Sequence, residues 1–122
     1  MLEGVRKIYM IGIKGTGMSS LALLLKKLGY EVSGSDVHEA FPSELQLKHN
    51  GIAYHSGFDA NNIQAANPDL VIISTAYNDR NTEVAEIKLR RLQYITYPQA
   101  VGEISKNLLS VAVCGSHGKT TT

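Results

Sequence analysis

Apolar residues recur along the chain with two spacings. Unbroken apolar runs flanked by polar or glycine residues read as strands buried on both faces. They are Arg6 to Ile11, apolar at nearly every position after Lys7, then Leu70 to Thr75, and Leu108 to Val113. Between them, apolar residues three and four apart predict helices. One runs from Met18 to Leu28 and is stopped by Gly29. Another starts at Pro42, which suits a first helical turn, and runs through Leu45 and Leu47 toward Asn50-Gly51. A third opens at Asn81-Thr82-Glu83-Val84, with Val84, Ile87, Leu89 and Leu92 as its apolar stripe and Lys88, Arg90 and Arg91 toward water. A fourth covers Gln99 to Lys106. Shorter strands are predicted at Tyr30 to Gly34, running on into Ser35-Asp36, at Ile52 to Tyr54, and at Tyr94 to Tyr97 before Pro98. Asp59 to Ile63 reads as a capped turn or short helix, and Asn67-Pro68-Asp69 as a turn. Strand and helix alternate throughout, so the predicted fold class is α/β: a Rossmann-like, doubly wound, mostly parallel sheet in three layers.

Composition narrows the function classes. With 122 residues, 43% of them hydrophobic and 19% charged, the chain can bury one real core. A net charge of +1 supplies no pull toward nucleic acid or an anionic membrane, and neither partner is expected. The one cysteine, Cys114, excludes an internal disulfide framework and fits a reducing, cytoplasmic location. The longest apolar run is too short to span a bilayer. The first ten residues carry Glu3, Arg6 and Lys7 and do not read as a signal peptide. No internal repeat or low-complexity stretch is present.

The first candidate chemistry lies between the first strand and the first helix, at Gly12-Ile13-Lys14-Gly15-Thr16-Gly17-Met18-Ser19-Ser20. Glycines let a ligand approach the backbone, and a helix start offers free N–H groups and the positive end of its dipole. A diphosphate is the natural occupant, and Lys14 adds a full charge to the same loop. The glycine order is G-x-x-G-x-G rather than the dinucleotide fingerprint G-x-G-x-x-G, so the match is partial. Asp36, at the end of the second strand, stands where an acidic residue meets a ribose, and Ser74, Thr75 and Ala76 stand where a fourth strand delivers the chain to a ligand crevice.

A second phosphate loop closes the sequence. Cys114-Gly115-Ser116-His117-Gly118-Lys119-Thr120-Thr121-Thr122 contains the G-K-T of a P-loop, whose lysine reaches terminal phosphates and whose hydroxyl reaches magnesium. Its spacing, G-x-x-G-K-T, is two residues shorter than usual. The helix that should follow such a loop is missing from the sequence. The chain is therefore expected to be the front portion of a longer enzyme, inactive toward ATP alone, with residues 1–107 as one domain and 108–122 as the first strand and P-loop of the next.

Three motifs in one order, Gly12 to Ser19, Val32-Ser33-Gly34-Ser35-Asp36, and Gly115 to Thr122, resemble the Mur ligases, and among them the alanine-adding branch. The resemblance runs the length of the chain. It implies an ATP-dependent amide-bond ligase of peptidoglycan synthesis that activates a carboxylate as an acyl phosphate for attack by an amine. It implies that this portion holds UDP-N-acetylmuramate, with Gly12, Lys14, Gly15, Thr16, Gly17, Met18 and Ser19 at the diphosphate, Ser35 and Asp36 at the ribose, and Ser74, Thr75 and Ala76 along the sugar-nucleotide cleft. Gly115, Ser116, His117, Gly118, Lys119, Thr120 and Thr121 would serve ATP in the full enzyme, Lys119 and Thr120 as catalytic groups and Thr120 on Mg2+. L-Alanine would bind in further domains, and no cofactor is expected on these residues alone.

Other readings stay open. A murein tripeptide recycling ligase shares the sugar-nucleotide end and differs in the group added. An NAD-binding domain of an oxidoreductase or redox regulator would use the same glycine loop, and Asp36 follows Gly17 at a suitable interval. The family often has a Gly-His pair near the uracil where this chain has Gly57-Phe58; Phe58 could stack on a base, and His55 reads as a surface residue. His38 and His49 show no partner spacing, no metal cluster is visible, and His117 with Cys114 lacks the orienting third group of a thiol nucleophile.

Overall fold

The computed structural model describes residues 2–115. Its elements are β1 (Lys7–Ile11), α1 (Thr16–Lys27), β2 (Glu31–Asp36), α2 (Ser43–His49), β3 (Ala53–Ser56), α3 (Ala60–Ala66), β4 (Leu70–Ile73), α4 (Thr82–Leu89), β5 (Tyr94–Thr96) and α5 (Tyr97–Gly115). The five strands form one sheet in the order β3-β2-β1-β4-β5, with every pairing parallel.

The period of two along each strand sorts side chains to the two faces. Ile8, Met10, Leu70 and Ile72 pack with Leu21, Ala22 and Leu25 of α1, Leu47 of α2 and Ala100 and Ile104 of α5. Tyr9, Ile11, Val71 and Ile73 face the other way, onto Ile63 of α3 and Val84 and Ile87 of α4. Both faces of the two central strands are covered, which explains their continuous apolar runs and makes the three layers. Local signals work as read: Asp59 caps α3 through the Asn61 amide, and the Asn81 carboxamide accepts from the Glu83 and Val84 amides at the start of α4.

Two expectations are corrected. Leu108 to Val113 is not a strand: these residues continue α5, which runs without a break from Tyr97 to Gly115. A short, mostly apolar run satisfies either state, and no strand of the described sheet pairs with it, so the helix, which closes its own hydrogen bonds, takes it. Leu89 is not part of the buried stripe of α4 but 78% exposed. It lies roughly 200° around the helix from Ile87 at about 3.6 residues per turn.

Candidate functional site

The order β3-β2-β1-β4-β5 places β1 in the centre, with later strands added on both sides. The crevice where the winding reverses lies beyond the C-terminal ends of β1 and β4, the usual ligand position in an open α/β sheet. The glycine loop leaves β1 there. Gly12 takes a φ of +91°, which glycine adopts without strain. Its N–H (2.8 Å) and that of Ile13 (3.1 Å) both donate to the Ser35 carbonyl, and the Ser74 N–H donates to the Ile11 carbonyl (2.9 Å). The loop is thus tied to β2 on one side and to the turn after β4 on the other.

Gly15 is the N-cap of α1 and carries no side chain to cap it, nor is any acidic residue in the first turn. The Gly15 N–H donates to the Gly12 carbonyl (3.2 Å) and the Ser19 N–H to the Gly15 carbonyl (2.7 Å). Of the seven residues expected at a diphosphate, Gly12, Lys14, Gly15 and Ser19 have their amides committed to protein acceptors. Those of Thr16, Gly17 and Met18 meet no backbone or side-chain acceptor among the described residues. Three uncommitted N–H groups at the positive end of a twelve-residue helix are donors of the kind that suit an anion.

The charged residues behave differently from a simple charge count. Lys14 is 1% exposed. Its ammonium donates to the Val37 (2.8 Å) and Glu39 (3.0 Å) carbonyls, pairs with Glu44 (3.1 Å), and lies over the rings of Phe41 and Tyr54. It braces the segment after β2 and does not stand free over the helix start. Asp36 is buried as well. One carboxylate oxygen accepts from the Lys14 amide (2.8 Å), the other from the Val37 amide and the Tyr77 hydroxyl (both 2.8 Å). Ser35 has no exposed surface and donates to Glu83 (2.5 Å). Where the ribose was expected, Ser35 therefore turns into the core and Asp36 is engaged by three protein donors.

Ser74, Thr75 and Ala76 do reach the crevice mouth. Ser74 is half-buried, its hydroxyl accepting from the Ala76 amide (3.2 Å), while Thr75 and Ala76 are exposed. Ser74 and Thr75 border a cleft of about 500 Å³ with Tyr77, Asn78, Thr96 and Gln99. A second hollow of about 510 Å³ opens on the far side of the α1 start, between Thr16, Ser19, Ser20, Phe41 and Ser43.

Four acid–base groups are displaced by this geometry. The Phe41 amide, the Tyr54 hydroxyl and the Lys14 ammonium hold the Glu44 carboxyl down at about 2. Burial, then the bond to Glu44, pushes Tyr54 up to about 12, and burial, then the bond to Asp36, does the same for Tyr77. Burial also raises Tyr9.

Sequence reading missed Glu44, Tyr77 and Glu83. Only the place of Glu83 in the first turn of α4 was legible; its complete burial depends on packing between α3 and α4. Phe58 leans edge-on against Tyr77, with ring centroids 4.9 Å apart. His38, His49 and His55 are exposed, and no group of potential metal ligands occurs among the described residues. Of the second phosphate loop, Gly115 ends α5, and Ser116, His117, Gly118, Lys119, Thr120, Thr121 and Thr122 lie outside the described residues.

A family model described as "Mur ligase family, catalytic domain" matches residues 7–108. A UDP-N-acetylmuramate–L-alanine ligase of Treponema pallidum is 48% identical over 117 residues, 95% of this chain and 24% of that protein. One of Lactobacillus gasseri is 39% identical over all 122 residues, 28% of its length. The chain thus spans about a quarter of the length of these curated relatives. Among solved structures, the UDP-N-acetylmuramate–alanine ligase of Thermotoga maritima superposes with a TM-score of 0.76 at 31% identity, over 83% of this chain and 23% of that one. The UDP-N-acetylmuramate:L-alanyl-gamma-D-glutamyl-meso-diaminopimelate ligase of Neisseria meningitides gives 0.74 at 37%, over 82% and 31%.

Proposed function

The chain belongs to the Mur ligase family, and from that premise we propose that it is the UDP-N-acetylmuramate-binding portion of an ATP-dependent ligase that adds L-alanine to that sugar nucleotide in peptidoglycan synthesis. The observation that carries the reading is the set of free amides of Thr16, Gly17 and Met18 at the crevice between β1 and β4. Backbone donors at a helix start suit a diphosphate, which spreads its charge over several oxygens.

The diphosphate seats on those amides, and the rest of the ligand lies along the crevice past Gly12 and toward Ser74, Thr75 and Ala76. Lys14 and Asp36 act on the ligand through the loop they brace. The role of the domain is to hold and orient. Grip on a remote diphosphate is converted into placement of the reacting carboxylate, which lowers the entropic barrier of the chemical step. ATP is a co-substrate; Gly115 to Thr121 would bind it, with Lys119 and Thr120 on the terminal phosphates and on Mg2+. We place the boundary between this domain and the ATP-binding one at residues 107 and 108, within α5. The 122 residues cover about a quarter of the ligases they match and are expected to have no ligase activity by themselves. The protein acts in the cytoplasm, with neither nucleic acid nor membrane as partner.

Calorimetric titration with UDP-N-acetylmuramate, with NAD in parallel, tests this reading. Binding of the sugar nucleotide and not of NAD is expected; binding of NAD alone would overturn it. A second reading has its own support in the 37% identity to the Neisseria ligase, whose name carries the same sugar nucleotide and a tripeptide in place of alanine. Assay of the longer protein with alanine against the tripeptide separates the two.

A further inference from the structure

Glu83, the second residue of α4, has no exposed surface. One of its carboxylate oxygens accepts from the Tyr9 hydroxyl of β1 (3.0 Å) and the Ser35 hydroxyl of β2 (2.5 Å). The other accepts from the Asp59 amide (3.0 Å) and the Asn62 side-chain amide (2.7 Å) at the start of α3. All four donors are neutral, and among the described residues no ion pair includes Glu83. An apolar side chain would fill such a place at less desolvation cost, so the carboxylate is explained by what it holds.

What it holds is the bend Gly57–Asp59. At one end the Gly57 N–H donates to the Asp36 carbonyl (2.7 Å). At the other, Glu83 takes the Asp59 amide, and the Asn62 amide that it anchors also reaches the Gly57 carbonyl (3.4 Å). Phe58 stands between these two fixings. Its ring meets Tyr77 edge-on, and the Tyr77 hydroxyl donates to Asp36. Both rings are half-buried and stand just past the C-terminal ends of β3 and β4, at the same end of the sheet as the glycine loop.

We propose that Glu83 is a positioning residue: it sets the Gly57–Asp59 bend so that Phe58 and Tyr77 form a fixed aromatic rim, and through that rim it governs how tightly the planar, nucleoside end of the sugar nucleotide is held. The proposal rests on the reading of the site as a sugar-nucleotide site. Glu83 itself touches no ligand. Glu83→Gln keeps the shape but turns an N–H2 toward donors, which breaks the brace on one side.

Two measurements test it. Without ligand, hydrogen exchange in Glu83→Gln is expected to rise about tenfold over residues 57–62 and to stay unchanged over Ile8–Ile11. With UDP as the probe, Glu83→Gln and Phe58→Ala are each expected to weaken binding about tenfold, and the double variant to bind no worse than Phe58→Ala alone, because one acts through the other. Additive losses would overturn the proposal, as would unchanged exchange over residues 57–62. If Glu83→Gln does not fold, Asn62→Ala removes one strut on the bend side and leaves the carboxylate in place; it must show the same pattern, more weakly. Failure of the unmodified chain to bind UDP would count against the sugar-nucleotide reading and against the proposed role of the rim. The exchange result would then decide separately whether Glu83 sets the bend.

Discussion

Gly12 and Ser74 lie so close that a Cβ on Gly12 would stand 2.6 Å from the Ser74 Cβ, and 2.9 Å from the Tyr77 ring. The turn after β4 is therefore seated directly on the first glycine of the loop after β1. Gly12 also needs its positive φ. Gly12→Ala is expected to destabilise the chain by about 3 kcal/mol, left-handed strain and overpacking together. Gly29→Ala is the control: its φ is +101°, but nothing lies within 4 Å of the added carbon, so only the strain of roughly 1–2 kcal/mol remains. Urea unfolding of both variants checks this; equal losses would mean that the contact with Ser74 is not tight.

Lys14 gives a second expectation. Its ammonium is buried among two carbonyls and Glu44. Lys14→Met should cost about 3 kcal/mol in the ligand-free chain, the scale for breaking a buried pair. A variant of unchanged stability that binds UDP-N-acetylmuramate poorly would instead make Lys14 a direct ligand.

Glu44 predicts a response to acid. Its carboxyl is held at about 2, against an ordinary 4.5, by the Phe41 amide first and then Tyr54 and Lys14. The folded state therefore prefers the ionised form. The stability it contributes is complete above pH 4.5 and is lost as pH falls from there through about 2. Glu44→Gln should show a smaller drop in urea midpoint between neutral pH and pH 3 than the parent chain. An identical drop would remove Glu44 as the cause.

Tyr77 predicts a response to base. Burial and the bond to Asp36 raise it to about 12 from 10.0. Here the folded state prefers the neutral form, so the contribution is intact below pH 10.0 and declines as pH rises through about 12. Tyr77→Phe should remove tyrosinate absorbance from the part of the alkaline titration near pH 12 and cost about 1 kcal/mol at neutral pH for the lost hydrogen bond. Loss of absorbance from the early part instead would show that the hydroxyl is not engaged.

The sequence by itself determined the α/β class and the alternation of strands and helices from β1 to β5, and it marked the glycine loop before α1. Runs such as Ile8–Ile11 and Leu70–Ile73 can be read because burial on both faces demands unbroken apolar residues, and a glycine turn before a helix can be read because its use of the backbone is local. The family resemblance in three ordered motifs was legible for the same reason. Tertiary structure alone decided which groups remain free. The Gly15 and Ser19 amides are consumed inside the loop, and Lys14, Ser35 and Asp36 are turned onto partners 22 to 48 residues distant in sequence, the adjacent Val37 amide on Asp36 apart. It also decided the state of Leu108–Val113, where a short apolar run fits strand or helix and only the presence of a paired neighbour could choose. Glu83 is the sharpest case: its four donors come from β1, β2 and the start of α3, and no spacing along the chain announces that they meet.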